Sequence, residues 1–409
     1  MRFEEYILKD IVDIRSSKRI YYKDYVSQGI PFYRSKEIIK KSQGVYLEEL
    51  LFINQEKFTE IKKKYGVPKE GDMLLTSVGT IGVPYLVKEN EEFYFKDGNL
   101  TWFTNFSNDL SNEYLFYWLI SPIGKRKLES IQIGTSQKAL TMIKLKEICI
   151  KLPKIDYQQK VVTILNRLRK KIELNDQIIN TLEETATTLF NHWFIDFEFP
   201  DKSGNPYKSS GGKMIESELG EIPEGWEVSS LKNITEIIMG QSPKGTSYNN
   251  EDMGLPLING ASDFKNGFVN PKKYTTEPKK VTKQADIIFG VRATIGNPTI
   301  VQQEYAIGRG AGIARVKNNH YQEFVFLLLE EMFKYFANTG SGSVYINISK
   351  NDFESYKFIS PSFEVILKFH ESVMSIFELI ANKRIEIESL KELRDTLLPK
   401  LLSGEIELE

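Results

Sequence analysis

The chain has 409 residues, enough for two to four domains with real cores, and its 41% hydrophobic content is ordinary for a soluble protein. Its 54 basic and 55 acidic residues nearly cancel, so any surface that holds phosphate must come from segregated rather than excess charge. A single cysteine, Cys149, excludes an internal disulfide framework and suits a reducing cytoplasm, Met1 to Asp10 is too charged for a secretory leader, and no run approaches the roughly 18 apolar residues of a membrane span.

In residues 1–153, short apolar or aromatic runs such as Ile30-Pro31-Phe32-Tyr33 and Met73-Leu74-Leu75 stand between Gly, Asn, Asp and Pro clusters. That grammar predicts twisted strands joined by turns, with a short helix around Asn112 to Lys127. Residues 154–198 change period. From about Asp156 to Phe194, Leu165, Ile172, Ile179, Ala186 and Trp193 recur every seven, beside a second line of Leu168, Leu182 and Leu189. These are a and d positions of a coiled coil, on a helix roughly 58 Å long. Residues 199–224 are polar, contain Gly and Pro, and read as a linker. Residues 225–361 return to strands and turns, with Ile287-Ile288-Phe289, Pro298-Thr299-Ile300-Val301 and a short helix around Tyr321 to Asn338, so the fold class is α+β. Residues 362–409 repeat the seam with Val373, Ile380, Ile387 and Leu401, flanked by Ile376, Leu390 and Leu397, and Ser403-Gly404 supplies a stop. Asn175 and Lys383 interrupt it at equivalent d positions, where a polar residue can fix register and partner number.

The second half copies the first. Gly134, Pro153, Lys160, Ile179, Leu182, Glu184, Thr188 and Leu189 fall on Gly342, Pro361, Lys368, Ile387, Leu390, Glu392, Thr396 and Leu397 at a constant offset of 208 residues. Further back the offset drifts, with Asp72, Thr80-Ile81-Gly82 and Pro84 answering Asp286, Thr294-Ile295-Gly296 and Pro298. A repeat this long is a whole domain plus a helix, not a solenoid unit of about 20 to 50 residues.

Motifs for chemistry are not evident. An adenine methyltransferase needs a Gly-rich cofactor loop and an Asn/Asp-Pro-Pro-aromatic motif; Asn205-Pro206-Tyr207 lacks one proline and falls in the linker. Pro200-Asp201 has no Glu-X-Lys companion for a nuclease, and there is no Gly-X-X-X-X-Gly-Lys-Ser/Thr loop for ATP. With only His192, His320 and His370 beside one cysteine, no metal site is expected.

The run Leu393-Arg394-Asp395-Thr396-Leu397-Leu398-Pro399-Lys400-Leu401-Leu402-Ser403-Gly404-Glu405 resembles the distal conserved region of the specificity subunits of type I restriction-modification systems. Leu189-Phe190 with Trp193-Phe194-Ile195-Asp196-Phe197 is similar to the end of their central conserved region, and Glu221-Ile222-Pro223-Glu224-Gly225-Trp226 to the entry of a target recognition domain. The resemblance implies two target recognition domains, each a mixed, largely antiparallel twisted sheet with short helices, separated by two conserved helices paired as an antiparallel coiled coil. It implies a subunit without chemistry of its own, each recognition domain reading one half of a split double-stranded DNA target. The paired helices would act as spacer and dock two methylation subunits, which use S-adenosylmethionine. Restriction subunits would bring ATP- and Mg-dependent cleavage. A second reading, which the near-zero charge supports, is a coiled-coil scaffold that holds two partner proteins without reading DNA.

Loop chemistry and family position together nominate the DNA contacts. In the first domain these are Arg15, Ser17, Lys18, Arg34, Lys36, Ser77, Thr80 and the loop Thr135, Ser136, Gln137, Lys138. In the second they are Gln241, Ser242, Lys244, Asn259, Arg292, Thr294, Arg309 and the loop Gly342, Ser343, Tyr345. Aligned loops differ, Arg34 facing Asn259 and Val78 facing Arg292, so the half-sites should differ and one chain should serve each DNA site.

Overall fold

Each half of the chain begins by pairing a strand with the strand that will lead into a long helix. Glu4–Ile7 runs antiparallel to Cys149–Leu152, and Glu227–Ser230 antiparallel to Lys357–Ser360, each first strand followed by a single helical turn, Leu8–Ile11 or Leu231–Ile234. Pro153 and Pro361 then end the outgoing strands, and the long helices Ile155–Phe190 and Phe363–Ser403 follow. The repeated sequence therefore builds a repeated frame. The structure, a computed structural model, describes residues 2–45, 47, 49–134, 138–292, 295–339 and 349–408.

Two units result, residues 1–172 with 389–409, and residues 173–388. In unit 1 an antiparallel sheet has the order Asp13–Arg15, Leu100–Thr104, Met73–Thr76, Pro84–Leu86. A second, mixed sheet has the order Tyr25–Val26, Leu51–Ile53, Ile30–Tyr33, Tyr94–Phe95. All five residues of Leu100–Thr104 are buried, as a central strand covered on both faces requires. The helix expected at Asn112 to Lys127 is two helices, Asn112–Ile120 and Pro122–Ser130. Pro122 cannot continue the first, and Ser121 caps the second by accepting the Gly124 N–H.

Unit 2 gathers the same plan into a seven-stranded mixed sheet around the long strand Ala306–Val316, with the helix Gln322–Thr339 packed on Gly296–Ile300. The segment expected to be a linker is folded. Met214–Ser217 pairs with Gly220–Pro223, and Phe199 stacks between Tyr207 at 4.6 Å and Trp226 at 4.8 Å. Its few aromatic residues, not its polar majority, decide its state, and Tyr207 serves this packing.

The seam holds within each unit, and in both the helices run antiparallel. In unit 1, Tyr157 donates to the carbonyls of Leu401 and Ile406, while Leu165 shares a core with Leu398. In unit 2, Glu183 meets Arg384, whereas Phe190 and Trp193, further along, meet Phe369. Leu165, Ile172, Ile179, Ala186 and Trp193 are buried, as are Val373, Ile380, Ile387 and Leu401; Leu168, Leu182, Leu189, Ile376, Leu390 and Leu397 are half-buried. The first line is therefore the tighter one. The two polar interruptions differ. Asn175 is fully buried with neither amide atom hydrogen-bonded among the described residues, whereas half-buried Lys383 pairs with Glu386 at 2.8 Å.

Candidate nucleic-acid interface

In unit 1 the strand register determines which loops meet. Arg15 lies opposite Trp102 and Thr76 opposite Leu100, so the chains leaving Arg15 and Thr76 emerge at one end of the sheet. There the Asn99 carbonyl accepts the Ser77 N–H at 2.8 Å and the Ser35 hydroxyl at 3.5 Å. The loop past Ser77 is joined in turn by the segment before Leu140, through a Val78–Ala139 bridge and the Leu140 N–H on the Ser77 carbonyl. These bonds bring exposed Arg15, Lys18, Lys36, Thr80 and Lys138 to one rim. Arg15 carries an ion pair to Asp13.

Two further cations share this rim. The Lys18 N–H bonds the Tyr94 hydroxyl at 2.6 Å, and Arg19 pairs with Asp97 at 3.0 Å, which ties the 18–19 segment to the loop holding exposed Lys96. Sequence reasoning missed Arg19 and Lys96. Only the parallel pairing of Ile30–Tyr33 with Tyr94–Phe95 puts them there, and no local pattern announces it.

Two nominated side chains are committed elsewhere, and a third, Ser17, is buried. Ser77 is buried and shares a hydrogen bond with the Thr101 hydroxyl at 2.7 Å. The Arg34 guanidinium bonds Glu37 at 2.7 Å, which fastens the start of the helix Ser35–Ser42. Burial alone would push the Glu37 carboxyl up, but the bonds from Arg34 outweigh it and hold the group below the usual carboxylate range. Thr135, Ser136, Gln137, Thr294, Gly342, Ser343 and Tyr345 lie outside the described residues.

Unit 2 assembles its candidates around a glycine bulge. Ala306–Val316 first runs parallel to Leu255–Gly260, then past Gly310 antiparallel to Thr235–Met239 and Ile287–Gly290. At the switch, a Cβ on Gly310 would lie 2.1 Å from the Asn259 carbonyl oxygen, and one on Gly308 2.7 Å from the Asn259 Oδ1. Only glycine allows the approach at Gly310, where the neighbour is backbone. Between them Arg309 is exposed, its Nε–H donating to the Ser242 hydroxyl at 3.2 Å. The Gln241 N–H bonds the Ile307 carbonyl, and the Val291 N–H the Gly310 carbonyl, which places Arg292 beside the bulge. Gln241, Ser242, Asn259, Arg292 and Arg309 thus stand together, with exposed Lys244 two residues beyond Ser242. Arg, Asn, Gln and Ser are the side chains that read base edges in a major groove.

A separate cavity of about 670 Å³ in unit 2 shares no residue with this bulge and is lined in part by Glu183, Glu330 and Arg384. Burial, reinforced by Glu183, pushes the Glu330 carboxyl up to about 7 from its ordinary 4.5. A raised folded pKa stabilises fully below pH 4.5, and the contribution is lost as pH climbs to about 7. Glu330→Gln should therefore flatten the decline of unit 2 stability over that window and leave the variant more stable at pH 8, by up to about 3 kcal/mol. Urea unfolding at pH 5 and pH 8 checks it; an unchanged pH slope would refute the assignment.

A family model for the type I restriction modification DNA specificity domain matches residues 2–184 and again 223–389, the two copies of the repeat. The chain belongs to that family. It is 30% identical over 409 residues to the specificity subunit named for the MjaX type I restriction enzyme of Methanocaldococcus jannaschii, covering 98% of this chain and 93% of that one. To the MjaIX specificity subunit of the same organism it is 27% identical, covering 98% and 93%, and to the HindI specificity subunit of Haemophilus influenzae 25%, covering 83% and 87%. The crystal structure of a type I restriction-modification S subunit from M. genitalium matches with a TM-score of 0.59 at 16% identity, covering 98% and 96%, a likeness of fold. The specificity-subunit resemblance read from the terminal helix thus holds over the whole length. Among the described residues, no helix is long and apolar enough to cross a membrane, and no group of three metal-ligating side chains forms.

Proposed function

We propose that this specificity subunit reads a split, asymmetric double-stranded DNA target, unit 1 taking one half and unit 2 the other, without catalytic groups of its own. The paired helices act as spacer and dock two methylation subunits, with restriction subunits in the full complex and one such chain per DNA site. S-adenosylmethionine, ATP and Mg belong to those partners. The observation that carries the reading is that the repeated frame presents different side chains at its two corresponding ends. Unit 1 offers a lysine- and arginine-rich rim, and unit 2 an arginine, glutamine and asparagine cluster on a glycine bulge.

The near-zero net charge favours the scaffold reading instead, and salt separates the two. If the basic rims neutralise phosphates, the affinity of the assembled methylation complex for target DNA falls log-linearly with salt, with a slope of about −0.9 per phosphate contacted. Equilibrium binding between about 50 and 200 mM salt measures the slope. Assembly with the methylation subunits but no salt-dependent DNA binding would favour the scaffold.

A further inference from the structure

The segment 18–25 of unit 1 is pinned at both ends and exposes two aromatic rings between the pins. Lys18 is bonded to Tyr94, Arg19 to Asp97, and Ile20 is buried. Beyond them, the Tyr21 N–H donates to Asp24 Oδ2 at 3.1 Å, the Asp24 N–H to the Tyr21 carbonyl at 2.9 Å, and the Asn54 N–H to the Asp24 carbonyl at 3.2 Å. On this turn Tyr21 is 60% exposed and Tyr22 is 92% exposed. A scattered apolar residue on a surface needs no explanation. Two adjacent rings on a fixed turn, flanked by Lys18, Arg19 and Lys23, are a different case.

The second copy shows that the turn does not need them. Gly245–Ser247 forms the same short helical turn and leads into Tyr248–Asn249, as Tyr22–Asp24 leads into Tyr25–Val26. At that alignment Lys244 and Gly245 stand where unit 1 has Tyr21 and Tyr22. The rings therefore add nothing to the turn's geometry, and at 92% exposure Tyr22 contributes little by burial. Tyr22 lies three residues beyond Arg19, so at most about 10 Å along the chain from the rim. A flat apolar face with Lys18, Arg19 and Lys23 close to it in sequence matches one ligand chemistry, a nucleobase within a polyanionic strand. Duplex DNA offers a base face where a step is opened by an inserted side chain.

We propose that Tyr22, with Tyr21 beside it, stacks on a base at an opened step of the half-site read by unit 1, a contact that unit 2 does not make. The inference rests on the DNA-reading function. Its test uses the complex with methylation subunits on target duplexes carrying 2-aminopurine at successive positions of each half-site. Binding constants and fluorescence are compared for the wild type, Tyr22→Ala, Tyr22→Phe and the double variant Tyr21→Lys/Tyr22→Gly, which installs the second turn's residues.

Stacking predicts roughly tenfold weaker binding for Tyr22→Ala, and weaker binding than the wild type for the double variant, whose added lysine offsets part of the loss. It also predicts a fluorescence change confined to one step of the first half-site, lost in both variants and kept in Tyr22→Phe. For Tyr22→Ala the salt slope stays at the wild-type value, because a ring and not a charge has been removed. Tyr22→Ala binding within twofold of the wild type with an unaltered fluorescence pattern overturns the proposal, as does a Tyr22→Phe variant as weak as Tyr22→Ala. A wild-type complex that shows no DNA binding overturns the function beneath it, and the stacking with it.

Discussion

Replacing Phe194 by alanine is expected to destabilise unit 2 by about 3–5 kcal/mol, the cost of deleting a buried aromatic side chain where neighbours relax only partly. Phe194 is 4% exposed and its ring centroid lies 4.8 Å from both Phe324 and Phe369, 5.2 Å from Phe190 and 6.0 Å from Trp226. It joins the π-turn at the end of the first long helix to the start of the second, to the helix Gln322–Thr339 and to the segment entering the sheet. The four tryptophans divide evenly, Trp102 and Trp118 in unit 1, Trp193 and Trp226 in unit 2. Urea unfolding followed by the fluorescence of Trp193 and Trp226, in a background with Trp102 and Trp118 replaced by phenylalanine, reads unit 2, and its transition should move. A loss under about 1 kcal/mol would mean that the aromatic cluster is not what holds this unit.

Asp286→Ala should have a comparable effect for an electrostatic reason. Asp286 is 3% exposed and accepts from Arg315 at 2.7 and 2.8 Å and from the Lys283 N–H at 2.7 Å. Removing the carboxylate strands a half-buried guanidinium, at a cost toward the lower end of the about 3–5 kcal/mol for losing one partner of a buried pair. The double variant Asp286→Ala/Arg315→Met should recover much of that, since no charge remains to strand. Unit 1 supplies the control. Its equivalent Asp72 accepts from the neutral Trp102 indole at 2.8 Å and the Lys69 N–H at 3.0 Å, so Asp72→Ala strands no charge and should cost only about 1–3 kcal/mol. Equal losses at both positions would contradict the account of Arg315.

These cores explain how far the sequence could be read. Leu165, Ile172, Ile179 and Ala186 are buried as their seven-residue spacing requires, because helix periodicity is a local property. The duplication was legible for the same reason, since each long helix is preceded by the same strand and proline. The rim was only partly legible. The fate of Ser77 depends on Thr101, which a strand brings from 24 residues away, and that of Arg19 on Asp97, 78 residues away. Arg34 is different, since its capture by Glu37 at i+3 is a local capping pattern that the sequence displayed. Segment 199–224 misled because composition weighs residues equally, whereas Phe199, Tyr207 and Ile222 suffice to anchor it against Trp226.

In the proposed function this chain selects the sequence at which its partners act. Single-molecule methylation sequencing tests it most directly, on DNA from cells making this chain with a type I methylation subunit and from cells making that subunit alone. The expected result is a new split motif with unlike halves, methylated at adenine in both, only when this chain is present. An assembled complex that leaves no new motif, or one whose motif is a palindrome, would contradict it.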